Sequence, residues 1–155
     1  NIYGYQVKQF AKSIGKKFWC RGFSKVTRNT IIGNNVNFNG MTIIGKGQVK
    51  IGNYFHSGNG CTILSDNHNY DNGSTIPYDA KILEKNVDIS DFVWFGTNVM
   101  ILPGAKIGEG AIVQAGSVVH GEIPPLAIVG GNPAKIFKYR DSRHFEELKN
   151  QGKFY

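Results

Sequence analysis

Four histidines, His56, His68, His120 and His144, are the side chains suited to proton chemistry near neutrality. An unperturbed imidazole titrates near pH ~6.5, and its neutral form can take a proton from a hydroxyl, an effect worth about 10²–10⁴-fold in rate. His68 stands within Asp66-Asn-His-Asn-Tyr70, in a stretch that lacks periodic patterning. There it could act as a general base, or it could be a loop histidine that only hydrogen-bonds locally. The residue pattern leaves both open. His56 is expected to face a turn, and His120 and His144 to lie on the surface. A catalytic metal needs several converging ligands, often closely spaced. These histidines stand 12, 52 and 24 residues apart, so no metal site is expected. Phosphate-binding G-x-x-x-x-G-K, dinucleotide-binding G-x-G-x-x-G and nucleophile-elbow G-x-S-x-G patterns are also absent.

The elements that must position these groups repeat every six residues. Ile89, Phe95, Ile101, Ile107, Val113 and Val119 are apolar in unbroken register. Val93, Val99, Ala105, Ala111 and Ser117, the fifth places of the same hexads, are small or β-branched. A period of six fits neither a helix at 3.6 nor an alternating strand at 2.0. It fits a coil of short strands whose first and fifth hexad positions point to the axis, the hexapeptide form of a parallel β-helix. An earlier block reads Val26, Ile32, Phe38 and Ile44, with Thr30, Val36, Thr42 and Gln48 at the fifth position. One inserted residue near Lys50 precedes Ile51, Ser57 and Ile63. The asparagines around these turns tolerate left-handed backbone.

Between the blocks, residues 65–86 have no period. Aperiodic insertions of this length in compact repeat proteins are usually functional, and Ile76, Pro77, Tyr78, Ile82 and Leu83 are too apolar for a disordered tail. The segment reads as a loop folded out of one corner and packed on something, such as a neighbouring subunit. Three regions follow: a cap over residues 1–25, a coil body over 26–140, and a short helix from Asp141 to about Gln151 within residues 141–155. At three hexads per turn, the body predicts about four triangular coils. The fold class is all-β.

Net charge is +7, unevenly spread. Residues 1–28 carry seven Lys or Arg and no acid, residues 135–155 carry six basic and three acidic side chains, and the middle is slightly acidic. No aromatic-plus-basic recognition motif accompanies the charge, so nucleic acid is not an expected partner. No run of eighteen apolar residues suggests membrane insertion. Two cysteines, Cys20 and Cys61, are too few for a disulfide scaffold, and a reducing cytoplasm is the expected location.

The hexads together with NHNYDNGSTIPYD, VWFGTNVMILPGAKIGEGAIVQAGSVV and GGNPAKI resemble the left-handed β-helix acyltransferases, in particular galactoside, maltose, xenobiotic and polysaccharide O-acetyltransferases. The resemblance spans about residues 26–140 and implies a left-handed coil, a homotrimer and acetyl-CoA in the groove between subunits. By the same resemblance His68 is the catalytic base, with Asp66 orienting it, and Asn39 binds the acceptor. Trp94 lies beside the cofactor, a backbone amide at Gly96 or Thr97 faces the thioester, and Ala115 and Gly116 let pantetheine approach closely. Lys135 and Lys138 meet the phosphates. Where some relatives carry Thr-Lys after the last hexad, this chain has His120-Gly121, and its N-terminal region is unlike the acceptor-binding segment of the disaccharide enzymes. These departures point to a sugar on a surface glycan or its precursor as acceptor. Rival expectations are an amino-sugar N-acetyltransferase or xenobiotic acetyltransferase, a metal-dependent hydratase of the carbonic anhydrase type, and a silent scaffold.

Overall fold

The computed structural model describes residues 2–155. Helix α1 (Ile2–Phe10) closes one end and leads into β1 (Ser13–Ile14) and β2 (Trp19–Gly22). Complete coils follow: β3 (Thr30–Ile32), β4 (Asn37–Asn39) and β5 (Met41–Ile44), then β6 (Val49–Ile51), β7 (His56–Ser57) and β8 (Cys61–Leu64). The excursion is itself paired, as β9 (Asp66–His68) against β10 (Ile82–Glu84). Winding resumes with β11 (Val87–Ile89), β12 (Trp94–Phe95) and β13 (Met100–Ile101), then β14 (Lys106–Ile107), β15 (Ile112–Val113) and β16 (Val118–Val119). The last turn holds β17 (Glu122–Ile123) and β18 (Ala127–Gly131), with β19 (Ala134–Tyr139) folded antiparallel on β18 and α2 (Ser142–Asn150) after it.

The strands stack into a three-faced prism. Face one is β1-β3-β6-β11-β14-β17, face two is β2-β4-β7-β12-β15-β18 edged by β19, and face three is β5-β8-β13-β16. Adjacent coils are parallel, and in the later block they stand 18 residues apart, as in Ile89 beside Ile107 and Phe95 beside Val113, until the last turn, where Ile112 pairs with Ile128. We call the edge between faces one and two the first edge, that between two and three the second, and that between three and one the third.

Both inward hexad positions of the later block are buried as expected, from Ile89 and Val93 to Ser117 and Val119. Phe38 meets Phe55 edge to face at 6.0 Å and Phe55 meets Phe95 at 4.9 Å, a column of rings along the axis. In the earlier block the phase differs from expectation. Ile44 is 48% exposed, while Met41 and Ile43 are buried. Gly40, at φ +108°, turns the chain early, so the face-three strand begins one residue ahead of the hexad count. Lengthening around Lys46 and Gly47 restores the phase at Val49 and Ile51, both buried. The net gain of one residue is what the pattern shows as an insertion near Lys50.

The count of about four coils is too low. Faces one and two carry six parallel levels each, because β1 and β2 pair with β3 and β4 although residues 13–25 lack the hexad pattern. The C-terminal helix runs as expected, with the Asp141 side chain accepting from the His144 N–H at 2.9 Å as N-cap.

Candidate active site

The second edge gathers half of the residues singled out from sequence. Asn39 ends β4, and its Nδ2 donates to the Ser57 carbonyl at 2.8 Å. The Gly96 N–H donates to the Val113 carbonyl at 2.8 Å, so that amide is engaged. A Cβ on Gly96 would lie 2.6 Å from the Ala115 nitrogen, which excludes any larger residue. The next amide, that of Thr97, meets no acceptor among the described residues, while the Thr97 carbonyl accepts from Gly116 N–H at 2.8 Å. Of the two candidate donors, the one left unengaged among the described residues is therefore Thr97. Ala115 and Gly116 are exposed one coil further along. A Cβ added to Gly116 would find nothing within 4 Å, so the edge is open to an approaching molecule at that level.

Face two supplies three more candidates. Trp94 points outward and is 51% exposed, beside His56 on one side and Ile112 on the other. Ile112 pairs with Ile128, Ile128 with Lys138, and Gly130 with Lys135. In a regular strand, residues three apart would point to opposite faces. Here a register shift between Ile128 and Val129 places Lys135 and Lys138 beside the outward residues Gly130 and Ile128. Both ammonium groups thus belong to the outer surface that carries Trp94.

His68 lies elsewhere. It ends β9, on the hairpin that leaves the third edge, paired with Ile82. Its ring stacks on Tyr78 at 3.8 Å and 13°. The Asp79 carboxylate holds the tip, accepting from Ser74 N–H at 3.1 Å, Lys81 N–H at 2.9 Å and Asn69 Nδ2 at 3.0 Å. Those amides keep the Asp79 carboxyl below the usual carboxylate range, the Lys81 amide first. Asp66 accepts from the Lys46 N–H at 2.9 Å, which pins the root of the hairpin to the preceding coil. The tip stands away from its own prism: Ile76 is 97% exposed and Tyr70 is also in solvent. Face three, four residues wide at β8, separates the hairpin from the second edge. At ~3.3 Å per residue that is roughly 13 Å, too far for one small group to touch His68 and the Thr97 amide of the same protomer.

The first edge holds an arrangement that the sequence did not reveal. The C-terminal segment returns over it, with Phe154 against Tyr54 at 4.7 Å and Phe92 at 5.0 Å, and Tyr155 near His56 at 5.7 Å. Lys149 Nζ reaches both Glu109 oxygens at 2.9 Å. Between this segment and face two lies a groove of about 490 Å³, lined by residues that include His56, Trp94, Arg140 and Lys153. His56 is thus on an outward strand position rather than at a turn. Burial lowers its pKa, with Arg21 adding to the shift and a backbone hydrogen bond to Tyr155 opposing it. The available signal was that Tyr54 and Phe92 occupy equivalent turn positions and stack at 5.1 Å. Tyr78 and Asp79 were likewise missed. Only their place within the aperiodic stretch could have flagged them.

His120 is exposed at the third edge and His144 on α2. Among the described residues no three His, Cys, Asp or Glu side chains cluster as metal ligands. No described helix is long and apolar enough to cross a membrane.

Residues 86–121 match the bacterial transferase hexapeptide (six repeats) family. A chloramphenicol acetyltransferase from Klebsiella aerogenes is 36% identical over 106 residues, 58% of this chain and 50% of that protein. The putative lipopolysaccharide biosynthesis O-acetyl transferase WbbJ of Escherichia coli is 50% identical over 64 residues, 41% of this chain and 33% of its own length. The chain thus spans half or less of these relatives' lengths. Among solved structures, a hexapeptide-repeat acetyltransferase from Vibrio cholerae complexed with acetyl coenzyme A superposes with a TM-score of 0.73 at 28% identity, covering 90% of this chain and 76% of that one.

Proposed function

From the chain's membership of the left-handed β-helix, hexapeptide-repeat acyltransferase superfamily, we propose that it is an acetyl-CoA-dependent O-acetyltransferase acting on a sugar hydroxyl, on a cell-surface polysaccharide or its precursor. The observation that carries this reading is the second edge, where an unengaged Thr97 N–H stands beside the open backbone of Ala115 and Gly116. Acetyl-CoA supplies the activated acyl group as a thioester. The chain fits it: an exposed indole at Trp94, an exposed backbone at Ala115 and Gly116, and cations at Lys135 and Lys138 on the surface that carries Trp94. The acetyl-CoA complex of the Vibrio cholerae relative supports the assignment, and WbbJ supports the glycan acceptor.

In this mechanism His68 removes the proton of the acceptor hydroxyl as its oxygen attacks the thioester carbonyl. The C–S bond then breaks, and the departing coenzyme A sulfur takes up the proton that His68 holds. The Thr97 amide holds the developing oxyanion, a contribution that typically reaches 10²–10³-fold. Tyr78 fixes the imidazole plane by stacking. Asp66 is a positioning residue, because its carboxylate secures the hairpin root through Lys46. Asn39 orients the acceptor. The separation of His68 from the second edge within one chain favours a site shared by neighbouring protomers of a trimer, with the exposed hairpin tip reaching across.

The reading is tested by supplying acetyl-CoA with a panel of glycans, amino sugars and chloramphenicol. Transfer to a glycan hydroxyl is expected. Acetylation of chloramphenicol alone would favour the xenobiotic reading that the Klebsiella relative suggests. Sharing is tested by mixing His68→Ala protomers with Ala115→Trp protomers, each inactive alone. Regained activity is expected, and its absence would place the site within one chain.

A further inference from the structure

We propose that the N-terminal end of the prism is a docking surface for an anionic phospholipid bilayer, lying on the membrane rather than passing through it. Helix α1 closes the coil with Gly4 and Val7 buried against it, which turns its other side chains outward. Ile2 is 82% exposed and Tyr5 67%. In the first coil Phe23 is 64% exposed, and Trp19 also stands in solvent. Seven basic side chains between Lys8 and Arg28 are exposed among these rings, with no acid in residues 1–28.

The combination is what selects the partner. A face that is only solvated needs no exposed rings and normally mixes charge signs, as the other end does: α2 carries Arg143 beside Glu147 and Lys149 paired to Glu109. Along the first edge Tyr54, Phe92 and Phe154 stack on one another. The far end also exposes rings, Phe137 and Tyr139, but residues 135–155 mix six bases with three acids, whereas residues 1–28 carry no acid. At the N-terminal end, aromatic rings suited to the headgroup level sit among cations that attract anionic lipid. The surface also adjoins the acceptor end of the second edge, since Gly22 of β2 pairs with Asn39. A lipid-borne acceptor would then approach from the end opposite Lys135 and Lys138. That last step rests on the transferase reading, whereas the docking does not.

The test is co-sedimentation of the chain with vesicles of phosphatidylcholine, alone or with phosphatidylserine, at physiological ionic strength and without coenzyme A or acceptor. Binding to the anionic vesicles at least tenfold above the neutral ones is expected. Lys12→Glu with Lys16→Glu should abolish it, and Tyr5→Ser with Phe23→Ser should weaken it severalfold, all at exposed positions that leave the core intact. Arg143→Glu with Lys153→Glu, the same charge change at the other end, should leave it unaltered. Absent or lipid-independent binding, equal loss from the C-terminal reversal, a change of oligomeric state in the Tyr5/Phe23 variant, or the same Tyr5 and Phe23 dependence for an RNA oligonucleotide would each overturn the proposal.

Discussion

The second edge and the hairpin that carries His68 are built by different physics. The edge is backbone stacked on backbone: each coil's amides bond to the carbonyls of the next, over buried Phe55, Phe95 and Val113. The hairpin has almost no core. One carboxylate, Asp79, gathers its tip, and one ring, Tyr78, carries its imidazole. A solenoid can present exact rows of amides and small residues, but only at turn positions that its pitch dictates. A side chain that must reach beyond that lattice has to be borne on an insertion. In the proposed mechanism the division of labour is a stiff frame holding a thioester and a looser arm delivering a base.

The comparison can be broken most severely at the frame. Phe55→Ala removes a buried ring from the axial column and should destabilise the protein by about 3–5 kcal/mol, read by denaturant unfolding. Edge and arm should then fail together. His68→Ala should slow acetyl transfer at least a hundredfold, roughly 2.7 kcal/mol, with an unchanged unfolding midpoint. A loss of stability in that variant would mean that the arm is part of the frame. Lys135→Gln with Lys138→Gln should raise KM for acetyl-CoA severalfold while sparing kcat, as expected for exposed charge contacts worth about 0.2–1 kcal/mol each. An effect on kcat alone would remove them from the binding role.

The smallest effect concerns the first edge. Burial holds the His56 pKa below its ordinary value, so the folded state resists protonation more than the unfolded chain does. The associated stability is complete above pH ~6.5 and diminishes as pH falls below it towards the lowered folded value. His56→Gln should flatten the dependence of the unfolding midpoint on pH across that window. An unchanged slope would show that the tail of Phe154 and Tyr155 does not shield the ring.

What could be read from the sequence follows the same division. Ile89 through Val119 announce themselves because every level presents the same confined space to its inward side chain, and the same chemistry recurs. The second-edge residues came with them through resemblance to the family, since turn positions inherit the register. The first coil escaped notice because Ile14, Phe18 and Cys20 fill the end of the stack without hexad spacing. The slip at Gly40 was invisible because early turning and later lengthening nearly cancel. The hairpin's shape escaped because the Asp79 and Thr75 side chains set it by bonding to backbone, and no periodicity encodes such contacts. The returning tail was hidden for a related reason: Phe154 finds partners 38 residues apart in sequence, Tyr54 and Phe92, that become neighbours only after winding.

The paired departures around Gly40 and Lys46 bear on how this chain tolerates changes of length. Between residues 49 and 63, one deleted residue would swing every later apolar side chain of that level into water until another irregularity compensated. Within residues 70–80 the same deletion would be absorbed, because Asp66–His68 and Ile82–Glu84 clamp the two ends of the excursion before winding restarts. Length polymorphism, natural or engineered, should therefore collect at the arm, where a new acceptor can be accommodated without resetting the spiral.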